Sequence, residues 1–170
     1  DLASREMSLV LADADVDAAN LELVLRPIKL EEHAFTSGYK AFIDTSHCTQ
    51  CGRCVEVCRS DAIKVTLGAH QVEALACEGC LACYYVCPAQ AVELHECQAG
   101  LWFRSNSRFG PLVHAHLFAA QENSGKLVAT VKQQARALAE EGNADLTIVD
   151  GPPGIGCPVL AATAGATLAL

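Results

Sequence analysis

The chain has 170 residues, 51% hydrophobic and 19% charged, which provides for a packed core and excludes wholesale disorder. Its formal net charge of −8 argues against a nucleic-acid partner, because phosphate binding needs a basic face. Ten cysteines are the one extreme of composition. With no export signal at the start and no apolar stretch of the roughly 18 residues a membrane span requires, they fit metal-bound thiolates in a reducing cytoplasm better than disulfides.

Eight of the ten cysteines lie between Cys48 and Cys87 and divide the chain into three parts, roughly 1–37, 38–97 and 98–170. In the first part, the apolar run 8–12 ending at Asp13 reads as a buried parallel strand. Residues 18–25 read as a short helix with Asp17 as N-cap, and Pro27 ends it. The middle part alternates short strands with cysteine loops. Residues 39–43 form one expected strand, and 62–65 and 91–94 are two more, each just after a cysteine loop.

In the third part, 101–104 and 112–118 are candidate strands. Residues 125–141 are helical, with Leu127, Val128, Val131, Ala135 and Leu138 near one face and Gly142 as the C-cap signal. Asn123 or Ser124 is the expected N-cap. Residues 146–149 form an apolar strand closing on Asp150, followed by a Gly/Pro loop at 151–156. In an open α/β sheet the carboxyl end of a strand is where ligands bind. Trp102 and Phe103 read as core at a domain junction. His114 and His116 share one face of a strand, where ordinary packing competes with metal binding.

The cysteines carry the most specific signal. Both runs have the form C-x-x-C-x-x-C-x-x-x-C, and a constant offset of 29 residues maps Cys48 to Cys77, Cys51 to Cys80, Cys54 to Cys83 and Cys58 to Cys87. Three thiolates at this spacing wrap one corner of a 4Fe–4S cubane, and the last cysteine of each run ligates the other cluster. The expected ligands are therefore Cys48, Cys51, Cys54 and Cys87 for one cluster, and Cys77, Cys80, Cys83 and Cys58 for a second. Gly52 and Gly79 stand where backbone must approach sulfur closely. Pro88 follows Cys87 as this spacing predicts, whereas Arg59 stands after Cys58. Zinc is the rival, but it gives no reason for the third and fourth cysteine of each run. Cys97 and Cys157 fall outside the repeat. Cys97 reads as a small buried residue, and Cys157 as a thiol at a helix start, where a thiolate is favoured.

The flanks carry a resemblance. Asp13-Ala14-Asp15-Val16-Asp17-Ala18-Ala19-Asn20-Leu21 resembles the D-x-D-x-x-x-x-N-L stretch of MinD/ParA-type deviant P-loop ATPases, and Asp150-Gly151-Pro152-Pro153-Gly154 is similar to their D-x-P-x-G switch. Together with the segments 110–128 and 154–159, the chain resembles the branch of that superfamily that carries an inserted ferredoxin domain. The resemblance implies an α/β fold: an incomplete parallel-sheet P-loop NTPase-like domain at 1–37 and 98–170, interrupted by an α+β two-cluster ferredoxin module at 38–97. It also implies that Asp13 and Asp150, with Gly151 and Gly154, face a Mg²⁺-bound nucleotide, and that Asp15 positions the attacking water in an in-line phosphoryl transfer.

The sequence departs from that pattern in having no G-x-x-x-x-G-K-[ST] loop. The chain is accordingly read as lacking both ends of the ATPase domain, with residues 1–7 the tail of the helix that follows the phosphate loop. Mg-ATP and ATPase activity are assigned to the full-length protein only. The expected function is one-electron transfer through two 4Fe–4S clusters, coupled there to ATP hydrolysis. A redox protein is the expected partner, and a nucleotide-dependent homodimer is implied by analogy. A plain electron carrier with a vestigial ATPase part and a cluster-assembly carrier are the alternatives.

Overall fold

The computed structural model describes residues 7–119, 121 and 124–170; the helix-tail expectation for 1–6 and the N-cap expectation for Asn123 fall outside these. In chain order the elements are β1 (Leu9–Asp13), α1 (Leu21–Leu25), β2 (Ile28–Ile43), α2 (Arg53–Val57), β3 (Ile63–Thr66), β4 (Ala69–Val72), α3 (Ala82–Val86), β5 (Val92–Ser107), β6 (Gly110–Leu117), α4 (Ser124–Gly142), β7 (Leu146–Asp150) and α5 (Cys157–Thr163). They form two compact units. One comprises the chain up to Phe35 and from Ala99 onward; the other is Thr36–Gln98.

The first unit is built on a sheet with strand order β2-β5-β6-β1-β7. β1 lies between β6 and β7 and runs parallel to both. Leu9, Val10, Ala12 and Asp13 of β1 are buried, as the near-continuous apolar run of an interior parallel strand requires. α4 packs on β1 and β6 through Leu127, Val128, Val131 and Ala135, a helical spacing that puts all four on one face. Val10, Ala12, Val113 and Ala115 complete that core.

The expectation of a parallel sheet is corrected: the sheet is mixed. β5 and β6 pair antiparallel, from Gly100 opposite Leu117 to Ser107 opposite Gly110. Only Arg108 and Phe109 separate the two strands, and a link that short joins antiparallel neighbours, whereas a parallel pair needs a long crossover. Ser107 holds the turn: its hydroxyl donates to the Gly110 carbonyl at 2.8 Å and accepts from Phe109 N–H at 3.2 Å. Gly110 has φ +129°, and a Cβ there would stand 2.3 Å from the Leu9 carbonyl oxygen.

α1 is also shorter than expected. It starts at Leu21 rather than 18, and Asn20, not Asp17, is its cap residue. Asp13 is the reason. Its fully buried carboxylate accepts from the backbone N–H of Asp15 at 3.3 Å, Asn20 at 3.1 Å and Leu21 at 3.0 Å. The 14–20 segment therefore wraps around this side chain instead of closing helical turns on itself. Burial raises the Asp13 carboxyl above its ordinary value, the three N–H donors oppose that rise, and the neighbouring Asp150 charge adds to it. At the end of α4, Gly142 is the last helical residue, and Asn143 takes the left-handed conformation at φ 49°, which asparagine tolerates at this position.

In the second unit, β3 and β4 form a hairpin, Ile63 opposite Val72 through Thr66 opposite Ala69. Its turn residues Leu67 (φ 51°) and Gly68 (φ 81°) both have the positive φ of a type I′ connection. Ala41, Ile43, Ala62, Ile63, Cys77, Cys83 and Val92 make a small core.

Leu127 is fully buried, whereas Leu23 is 71% exposed. Leu127→Ala should therefore cost about 2–5 kcal/mol and Leu23→Ala less than about 0.5 kcal/mol, as read from urea-unfolding midpoints of the two variants.

Candidate metal centre

The two cysteine runs fold alike down to the backbone. Left-handed residues recur 29 positions apart: Gln50 (φ 57°) and Gly79 (φ 67°), Gly52 (φ 76°) and Leu81 (φ 66°), Asp61 (φ 49°) and Gln90 (φ 52°). Each run curls through two such positions and then enters a five-residue helix, α2 or α3. The third cysteine of each run, Cys54 or Cys83, is the second residue of that helix, and the rest of the helix carries the chain on to the fourth at about 1.5 Å per residue. Cys58 and Cys87 close these helices in the same extended conformation, φ −77° and ψ 102° for Cys58, φ −75° and ψ 107° for Cys87. Pro88 enforces such a conformation on the residue before it; Cys58 reaches it with Arg59 following.

Two cavities result. One, of about 320 Å³ counting space open to solvent, is lined by Cys48, Cys51, Cys54 and Cys87. The other, of about 380 Å³ on the same measure, is lined by Cys77, Cys80, Cys83 and Cys58. Each cavity thus takes three thiols from one run and one from the other. None of these cysteines forms a disulfide.

The surroundings suit anionic sulfur. Ala62 N–H donates to Cys58 Sγ at 3.3 Å and Ala91 N–H donates to Cys87 Sγ at 3.3 Å. Backbone donors of this kind lower the cost of a sulfur's negative charge. Ser60 Oγ lies 3.7 Å from Cys58 Sγ, a contact with no counterpart in the second run, where residue 89 is alanine. Burial pushes the Cys54 and Cys83 thiols up, and the other cysteines of the same run add to the rise. Protons are therefore held until a cation replaces them. Four convergent soft donors per cavity, apolar walls and sulfur-directed N–H groups fit an iron–sulfur core. In the first cavity His70 also lines the wall, and its buried Nδ1 has no hydrogen-bond partner. His70 carried no signal in the sequence, because it sits on β4, outside both cysteine runs.

The two glycines differ in their reasons. A Cβ on Gly79 would stand 2.2 Å from the Tyr39 carbonyl oxygen, whereas one on Gly52 meets nothing within 4 Å. Close backbone packing dictates Gly79, whereas Gly52 lines the first cavity with a positive φ that favours glycine. Lys40 adds a further tie between these segments, donating its ammonium to the Cys77 carbonyl.

The other residues singled out in the sequence belong to the first unit, apart from Cys97. Asp13 and Asp150 stand in register at the ends of β1 and β7, and Ala14 N–H donates to the Asp150 carbonyl at 2.8 Å. Asp13 is turned inward onto the 15–21 backbone, while Asp150, Gly151 and Gly154 are exposed and Asp15 is partly exposed. Cys157 is exposed at the start of α5. Cys97 lines neither cavity; its Sγ lies 3.7 Å from the Gln98 carbonyl. Among the described residues, no helix is long and apolar enough to cross a membrane.

Residues 41–94 match the 4Fe-4S dicluster domain, so a ferredoxin-type dicluster domain occupies this part of the chain, in support of an iron–sulfur electron-carrier role. The whole chain is similar to an uncharacterized protein of Methanocaldococcus jannaschii, 34% identical over 171 residues, with 99% of this chain and 58% of that protein covered. The chain therefore spans a little over half the length of that relative.

Gly52→Ala should cost about 1–2 kcal/mol through its backbone conformation, as read from urea-unfolding midpoints. Gly79→Ala should lower the iron bound per chain in anaerobic reconstitution, because β2 backbone must move to admit the methyl group.

Proposed function

We propose that this chain is a one-electron carrier holding two 4Fe–4S clusters, one on Cys48, Cys51, Cys54 and Cys87 and the other on Cys77, Cys80, Cys83 and Cys58. The observation that carries the proposal is the partition of eight thiols into two cavities, three from one run and one from the other in each. When bound, such clusters supply reversible one-electron oxidation and reduction. The protein's own part is to hold the sulfurs, to place Ala62 and Ala91 N–H on the two exchanged thiolates, and to keep the walls apolar through Ile43 and Val92 in one cavity and Ile63 and Leu94 in the other. Hydrogen bonding and exposure of the sulfurs then set the potential. A soluble redox protein is the partner this chemistry calls for.

A second proposal concerns the first unit. In the longer protein it binds Mg-ATP, whose hydrolysis gates electron transfer, and a nucleotide-dependent homodimer accompanies that cycle. Supporting it are two carboxylates in register at the ends of adjacent parallel strands, with a Gly/Pro loop leading directly from one of them. In this reading Asp150, Gly151 and Gly154 face the nucleotide. Asp13 acts by shaping the loop that carries Asp15, which positions the attacking water.

Low-temperature EPR of the anaerobically purified longer protein, reduced stepwise, tests both proposals. Two interacting cluster signals are expected, and an iron-replete, reduced sample without them would refute the first. Midpoints that shift with Mg-ATP support gating, and midpoints indifferent to nucleotide leave a plain electron carrier. Cluster transfer to an apo-acceptor would instead favour an assembly role.

Two variants probe the assignment at single sites. Cys58→Ala should damage the Cys77 cluster first; loss of the Cys48 cluster with the other intact would refute the exchanged ligands. His70→Phe removes a buried polar ring from the wall of the first cavity, so the midpoint of that cluster should shift while the second stays unchanged in the same redox titration.

A further inference from the structure

The first unit holds a second set of metal-ligating side chains, free of sulfur. His114 and His116 alternate along β6 and therefore share a face, and α1 brings Glu22 against them. The carboxylate of Glu22 divides between the two rings: Oε2 lies 3.3 Å from His114 Nδ1 and Oε1 lies 3.3 Å from His116 Nε2. Ligand atoms of all three residues lie within 4.8 Å of one another. A zinc ion bound at about 2.0–2.1 Å in tetrahedral geometry separates its ligands by about 3.4 Å, close to both carboxylate–imidazole separations.

His114 shows why ordinary packing does not account for the arrangement. Its side chain is 1% exposed. Ser105 Oγ lies 3.0 Å from Nε2, and Phe103 stacks on the ring at 4.9 Å between centroids, so the ring is fixed in place. The other ring nitrogen, Nδ1, is buried and has no hydrogen-bond partner; Glu22 is near it but outside hydrogen-bond geometry. A buried polar atom left unpaired is costly, and here it faces a carboxylate and a second imidazole. A metal-binding histidine is oriented by donating its far N–H to an oxygen acceptor, a part the Ser105 hydroxyl can play here.

We propose that Glu22, His114 and His116 bind one divalent cation of the zinc class. Two imidazoles and one carboxylate suit a borderline cation. The side chains of Glu22 and His116 are 32% and 37% exposed, so a fourth position is open to water, as in zinc sites that keep an exchangeable ligand. The nearby positive charge is Lys29, whose ammonium lies 3.8 Å above the Phe103 ring and 3.3 Å from Glu32. Its side chain is half exposed, and the Glu32 carboxylate draws its charge outward.

The test titrates Zn²⁺ into the full chain, carrying Cys97→Ser and Cys157→Ser, after anaerobic loading with iron and sulfide, so that the eight remaining cysteines are occupied. Calorimetry should show one zinc per chain, and X-ray absorption at the zinc edge should show a shell of nitrogen and oxygen without sulfur. Glu22→Gln and His116→Ala, both at partly exposed positions, should each weaken zinc binding by about tenfold or more, with iron content and far-UV circular dichroism unchanged. Absence of zinc uptake by the loaded chain, a sulfur shell, or variants that bind as tightly as that chain would each overturn the proposal.

Discussion

Eight thiols brought into two small, apolar-walled cavities are the constraint on which the second unit depends. A unit of about sixty residues has little apolar surface to bury, and here the core is short-chained: two of its seven buried members are cysteines, and other cysteines pack against it. Cross-links through a metal core supply in such small units what a larger hydrophobic interior supplies elsewhere. The local backbone follows from the same demand. Each run must curl tightly enough to present three sulfurs from seven consecutive residues, and it does so through left-handed positions that include the non-glycines Gln50 and Leu81. Such conformations are strained for residues with a side chain, and they persist where surrounding contacts over-determine them.

The first unit is organised around a different buried group. Asp13 ends β1, an interior strand of the sheet, and its carboxylate gathers three N–H groups of the following segment. A buried carboxylate is tolerated when donors surround it, and here the donors come from one loop, whose course is thereby determined. The same loop delivers α1, and α1 delivers Glu22 to the two histidines of β6. The histidine environment is strongly desolvated: His114 is pushed down to about 4, chiefly by burial, with the Glu22 charge pulling the other way. It is therefore a neutral imidazole near pH 7.

What was legible in the sequence followed strong periodicity. The apolar spacing of 127, 128, 131 and 135 identified α4 and its buried face, and the cysteine offset revealed the repeat. The rest depended on contacts that no local pattern encodes. The helix expected from 18 begins three residues later because the Asp13 side chain, eight residues before Leu21, claims its backbone N–H. The antiparallel β5–β6 pair was missed because Ser-Arg-Phe-Gly is a weak turn signal, although Gly110 is dictated by the Leu9 carbonyl of another strand. The left-handed repeat was only partly visible: Gly79 and Gly52 fall at different positions of the repeat, so neither announces its counterpart. His70 joined the first cavity through the β3–β4 hairpin, whose second strand was not anticipated.

The exchange of the fourth cysteine has a consequence for symmetry. Each cavity takes only three thiols from one run, so under the proposed ligand assignment a run on a separate chain would need to borrow a thiol from a second copy, reciprocally, in a two-fold pair. Joining the two runs in one polypeptide turns that encounter into an intramolecular one. The lending thiol is then present at the high effective concentration of a short tether, and completion of both sites no longer depends on how much protein the cell contains.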